Sequence, residues 1–444
     1  MSIYLILIIF LYILWIFRGE LHFIDMILLY CLFFDISVRF AGEQTINYQY
    51  LQSFIILIYI FLYLIRNWKD FDAKARSLLF YSFGFLLFTI MIPCFKGVSL
   101  NSSLRTFAIN SQSILILPIV YHYYSTKGEI NNLFKVVCYM TILWALAVII
   151  FTLLKIDVIG TYANLGSQGF GIGYIYFGEM SNRGAISYIS LLFICFPAIL
   201  INIKGTLKSL WFISTIFIIS IILISLKRFS LIAIGFGIVN FFLFSGIKLS
   251  KKYAYLGILI LTIVLLLNFT PLPDLIIESY FRRGAENKIS IESVQEDIRL
   301  YEPFYVFNDT MKNNISNFLF GPQTDIVFDV YSKTHYLPMR MIHNQYAQYM
   351  LIYGIIGLFL YIMIYIKIYL ICSQFYKLIK HSSTIYAWYW VTFQNIILLF
   401  IIGGIAGGHV HPTYRTIVMI VCGGIAGYFK KQYYNKYITK NSII

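Results

Sequence analysis

Charge is scarce in this chain, and negative charge scarcest: 12% of its 444 residues are Asp, Glu, Lys or Arg, with 19 acidic against 34 basic. A soluble domain carries about 25% charged residues, so a water-solvated globule is excluded. Proline (9) and cysteine (6) are also few, which leaves long runs without helix stoppers and removes a disulfide framework as the organising device. Cys31, Cys94, Cys138, Cys195, Cys372 and Cys422 all fall in or beside apolar runs, where a thiol acts as a small hydrophobe.

What fills the chain instead is apolar: 60% hydrophobic residues and a mean hydropathy of +0.78. A membrane-crossing helix needs about 20 apolar residues, and runs of that length recur throughout. The expected fold is all-α, a polytopic integral membrane helix bundle of about 13 spans forming one domain over residues 1–444. The 19% aromatic share suits lipid interfaces. Residues 1–17 have no basic residue before them and no small-residue cleavage site, and read as a retained span.

The net charge of +15 is distributed in a way that argues against nucleic acid as a partner. Lysine-rich links at 66–76, 127–135, 204–208, 248–252, 377–380 and 430–440 are separated by even numbers of apolar runs, which makes them cytoplasmic by the positive-inside rule. The alternate links, at 41–48, 96–105, 155–183, 227–228, 271–342 and 403–415, then face outward, with the amino terminus outside and the carboxyl terminus inside. The long loop at 271–342 is therefore extracytoplasmic.

Against that bias, Arg105, Arg183, Arg228, Arg282, Arg283, Arg299, Arg340 and Arg415 all map outside. A guanidinium is a permanently charged fork of donors that matches phosphate oxygens in a bidentate way, so the set points to an anionic substrate at the outer face. Pairing with the loop's own carboxylates or with lipid phosphates is the alternative. Arg228, in SLKRFSLIAIG, stands between two apolar runs with almost no loop to solvate it.

Inside the long loop, Ile298, Tyr301, Tyr305, Met311 and Ile315 recur at roughly helical spacing, which predicts an amphipathic surface helix with Pro303 in its first turn and a turn over 317–322. Arg299 would lie on its polar face. His343 stands where the loop meets the next apolar run, at a helix amino terminus, where an imidazole can act as a general base or simply cap. Glu179 and Arg183 follow the glycine-rich GSQGFGIGYIYFG. That stretch lacks the strand-then-helix context of a nucleotide loop and leaves the two residues as candidates for sugar or phosphate contact. His409 and His411 are too few for a metal site. Asp35 and Arg39 are spaced to pair on a helix, and the repeated GGIAG at Gly403 and Gly423 predicts close helix packing.

Three segments resemble the bacterial O-antigen and capsule polymerases of the Wzy type and the related O-antigen ligases. SLKRFSLIAIG resembles the family's Ser-Arg segment at the head of a span. RLYEPFYVFNDTMKNNISNFLFGPQTD resembles its pattern of an arginine, a helix, an asparagine-rich turn and a glycine, and HNQYAQYMLIYGIIGL resembles its His-Asn re-entry helix. Lys227 stands where the family often has serine, and Phe320-Gly321-Pro322 replaces its proline-then-glycine order.

The resemblance implies a GT-C-like fold and a glycosyltransferase needing neither metal nor cofactor. It would polymerise repeat units carried on undecaprenyl diphosphate at the outer face of the bacterial cytoplasmic membrane. It further implies that Arg228 and Arg299 hold the donor diphosphate, that His343 deprotonates the acceptor hydroxyl, and that Arg183, Arg282, Arg340 and Glu179 are further substrate contacts. The implied partners are the lipid-linked donor and acceptor glycans, membrane lipids, a chain-length regulator and a flippase. Two alternatives stay open: a ligase moving polymer to a lipid A core, and a lipid-linked oligosaccharide transporter, for which Asp25 and Asp35 in an early span speak.

Overall fold

The computed structural model describes residues 45–138, 306–322, 344–405 and 412–441, with isolated helical positions between 142 and 304. Among the described residues 90% are helical and none lies in a strand. The helices are α1 (Thr45–Asn67), α2 (Ala73–Phe95), α3 (Leu100–Ile114), α4 (Ile116–Thr126), α5 (Ile315–Phe320), α6 (Gln345–Ile379), α7 (Thr384–Ile405) and α8 (Pro412–Asn441). Ala73–Phe95, the continuous stretch Leu100–Thr126 and Gln345–Ile379 are long and apolar enough to cross a membrane. The count of about 13 spans rests mainly on residues outside the described ones.

Four of the six lysine-rich links meet at one end of the described helices, while those at 204–208 and 248–252 lie mainly outside the described residues. Lys430 pairs with Asp72 at 3.2 Å and donates to the Ser125 hydroxyl at 3.4 Å. Lys431 donates to the carbonyls of Lys127 and Gly128, Lys74 to Gln374, and Lys436 to Ser382. Asp72 also starts α2, accepting from the amide of Ala75 at 3.1 Å. Links 66–76, 127–135, 377–380 and 430–440 thus share an end, as the alternation of charge requires.

α8 lies beside α3 and α4 in parallel and in constant register. Arg415 bonds Asn110 and Lys430 bonds Ser125, both pairs 305 residues apart. Glycine permits that closeness: a Cβ on Gly427 would stand 2.4 Å from the Tyr121 carbonyl, and one on Gly423 2.9 Å from that of Leu117. In the first GGIAG, Gly404 likewise admits the ring of Tyr346. The close packing expected of the repeat is present in both copies.

Two expectations need correction. The link at 96–105 is mostly helix, because Ser99 caps α3 by accepting from the amide of Ser102 at 3.3 Å. In the long loop, a π-helical turn spans Phe307–Met311, and residues 315–320, expected partly as a turn, form α5. Asn314 is the reason: its side chain accepts from the amide of Asn317 at 3.1 Å, so the asparagines there start a helix instead of ending one.

Candidate functional site

α6 is broken at Gly354, whose φ of 65° and ψ of −169° are non-helical. Tyr349 and Tyr361 show how sharply the chain turns. In a straight helix they would be separated by about 18 Å, yet their ring centroids are 4.6 Å apart and both flank Phe85. Residues 345–353 therefore form a re-entrant segment folded toward the long helix 355–379, which alone extends about 37 Å. A side chain at 354 would strike the Leu319 carbonyl at 2.2 Å, and one at Gly321 (φ 80°) would strike that of Leu351 at 2.5 Å. The end of α5 thus packs backbone to backbone against the break.

The re-entrant segment begins at Asn344, which is 2% exposed and caps it by accepting from the amides of Tyr346 (2.9 Å) and Ala347 (3.2 Å). The helix start expected beside His343 is therefore present, with its first residues buried. Tyr346 donates to the Ile401 carbonyl at 2.8 Å and ties the segment to α7.

Arg415, 3% exposed, enters from α8. Its Nη1 donates to the Tyr349 hydroxyl at 3.0 Å and its Nη2 to Asn110 Oδ1 at 2.9 Å, while Nε is buried and unpaired. Gln345 also donates to the Tyr349 hydroxyl, at 3.1 Å, and its own Oε1 has no partner. Both acceptors of the guanidinium are neutral, they use two of its five N–H groups, and among the described residues no carboxylate pairs with it. Seven residues before Asn110 on the same face of α3, the buried Ser103 hydroxyl is also unpaired. Arg415 lies about 22 Å along α8 from Lys430, well inside the bundle. A site made this way offers a positive charge with no counter-charge among the described residues and with neutral donors and acceptors around it, which suits an oxyanion bearing hydroxyl groups. Among the described residues no group of three His, Cys, Asp or Glu could hold a metal.

Arg228, Arg299, His343, Arg183, Arg282, Arg340 and Glu179 lie outside the described residues, as do His409, His411, Asp25, Asp35 and Arg39. Arg415, grouped by sequence with an outward link, is instead an interior helical residue. Pro412, suited to a first helical turn, was the readable signal. Asn110, Gln345 and Tyr349 carried none, since their meeting is a long-range contact.

Lys96 closes α2 and reaches across to the break, its Nζ donating to the carbonyls of Phe320 (2.5 Å) and Ile352 (3.0 Å). Burial pushes its pKa down from the ordinary 10.5 to about 8. Between those values the folded chain holds fewer protons on this lysine than the unfolded one, so raising the pH through this window adds stability. The neutral amine still has N–H donors for both carbonyls. The melting temperature of wild type minus that of Lys96→Met should therefore rise from pH 8 to about pH 10; a flat or falling difference in detergent-solubilised protein would contradict this.

No family model matches this chain, and no curated protein is similar to it.

Proposed function

We propose that this protein is a membrane glycosyltransferase that polymerises undecaprenyl-diphosphate-linked repeat units into O-antigen or capsular polysaccharide at the outer face of the cytoplasmic membrane. The observation that supports it best is Arg415, a buried guanidinium with no carboxylate among the described residues, two neutral partners and an Nε that bonds nothing. An unpaired buried charge is costly by several kcal/mol, and an anionic substrate would offset it. The resemblance of SLKRFSLIAIG and HNQYAQYMLIYGIIGL to the polymerase family supplies the substrate class.

In this reading the acceptor sugar hydroxyl attacks the anomeric carbon of the donor. The bond from that carbon to the diphosphate oxygen breaks, its electron pair leaves with undecaprenyl diphosphate, and the hydroxyl proton passes to His343. Arg228, Arg299 and Arg415 neutralise charge growing on the leaving phosphate oxygens. Arg183, Arg282, Arg340 and Glu179 hold the glycan. Diphosphate is already a good leaving group, so orientation and charge neutralisation suffice.

The test is purified full-length protein with lipid-linked repeat units and a chelator, read as product length on a gel. A ladder of lengthened lipid-linked glycan is expected. Unchanged single units would overturn the proposal, and product formed only when a lipid A core acceptor is added would replace polymerase by ligase.

A further inference from the structure

Three chain ends meet at one ammonium group. α2 ends at Phe95, α5 at Phe320, and the re-entrant segment 345–353 at Gly354. Helix carboxyl ends leave carbonyls without amide partners and carry partial negative charge. Here the deficit is sharp. Ile352 would give its carbonyl to the amide four residues on if the helix continued, but Gly354 turns the chain away. Phe320 is the last helical residue of α5, and Gly321, at φ 80°, turns the chain out of the helix, so the Phe320 carbonyl lies beyond the last intrahelical bond. Lys96, the residue that closes α2, donates to both of these carbonyls, and among the described residues no carboxylate pairs with it. Both glycines at the junction are fixed by backbone contact from the other strand of chain, so α5 and the segment cannot slide without losing the lysine.

We infer that Lys96 is a positioning residue: its ammonium pins the end of α5 and the free end of segment 345–353 to the end of α2, and so sets where Gln345 and Tyr349 hold Arg415. The site it serves is that of the proposed function, on which the inference rests for its catalytic consequence. Lys96 bonds carbonyls at the end of the segment remote from Gln345, so it does not touch the substrate.

The experiment compares Lys96→Met, Lys96→Gln and Lys96→Arg with wild type in the full-length purified protein. It has two readouts: hydrogen exchange of the amides of 345–353, and kcat and KM for lengthening of lipid-linked repeat units. Lys96→Met, which fills similar volume without donating, should exchange about tenfold faster or more over 345–353. Its kcat should fall by a similar factor while KM stays within about threefold of wild type. Lys96→Arg should recover most of both, and Lys96→Gln, with a neutral donor, should fall between. Exchange at the wild-type rate in Lys96→Met overturns the inference. So does Lys96→Arg as impaired as Lys96→Met, since a charged donor at this position would then restore nothing, and so does a change confined to KM, which would mean contact with substrate. If Lys96→Met does not fold, Lys96→Gln against Lys96→Arg decides on the same readouts. If wild type itself lengthens nothing, the proposed function fails and exchange alone decides Lys96.

Discussion

Arg415→Met should fold as well as wild type or better, and lose about a hundredfold or more in polymer formation. The two halves of that outcome come from the same fact. The guanidinium is 3% exposed with only neutral acceptors on it, so in the resting protein it is a charge taken from water without a described counter-charge. Replacing even a paired buried ion and its partner by apolar side chains of similar volume is often neutral or stabilising by about 1–4 kcal/mol, and a buried ion without a counter-charge has less attraction to lose. The substitution takes the arginine's donor from the Asn110 carbonyl and leaves the Tyr349 hydroxyl with that of Gln345 alone, which opposes the gain by about 1–3 kcal/mol at most. In the reacting complex of the proposed polymerase the balance would reverse, because the charge would then face a phosphate oxygen that is becoming more negative. Arg415→Lys keeps the charge but loses the fork and should recover little of the rate. Melting temperatures and initial rates on the same preparations decide it. A large fall in melting temperature with Met, or activity within a few-fold of wild type, would make Arg415 a structural residue and remove the main support for an anionic substrate.

His343→Ala should lower the rate of chain lengthening by about 10² to 10⁴ while protein abundance stays near wild type. The residue is bonded directly to Asn344, the buried cap of the re-entrant segment, and the segment's second turn carries Tyr349, the hydroxyl on which Arg415 rests. In cells, single lipid-linked repeat units should accumulate and long polymer disappear. His335→Ala should be milder. His343→Ala within a few-fold of wild type would remove the base assignment, and loss of wild-type activity to chelator would turn attention to His409 and His411.

The features readable from the sequence were those carried by short-range pattern. Lysine spacing foretold that links 66–76, 127–135, 377–380 and 430–440 share an end, GGIAG foretold close packing, and the polar-to-apolar step at Asn344 foretold a helix start. The break at Gly354 was hidden because YGIIG reads as one more apolar stretch, and a glycine inside a helical pattern does not by itself mark a turn. The start of α3 was hidden for the opposite reason: LNSSLR is polar enough to pass for the end of the 96–105 link, yet Ser103 within it and Asn110, Ser111, Gln112 and Ser113 beyond it are all buried. α5 went the other way from its expected turn because a single asparagine can start a helix as readily as end one. The Arg415 cluster unites positions 66 and 305 residues apart, and nothing local encodes such a meeting.

The re-entrant segment also has a birth order. While the chain is being made, residues 345–379 leave the ribosome as one apolar stretch, ready to enter a membrane as a single tilted rod. The groups that hold the first part folded back arrive at different times: Lys96 and Asn110 are made long before it, α7 shortly after, and Arg415 only with the last described helix. Until α8 is in place, Tyr349 has no arginine to receive, and the bend rests on Lys96, α5 and α7 alone. On the proposed function, competence waits for α8, and a stalled or clipped chain lacking it would be a membrane protein with an unfinished interior and no transfer activity.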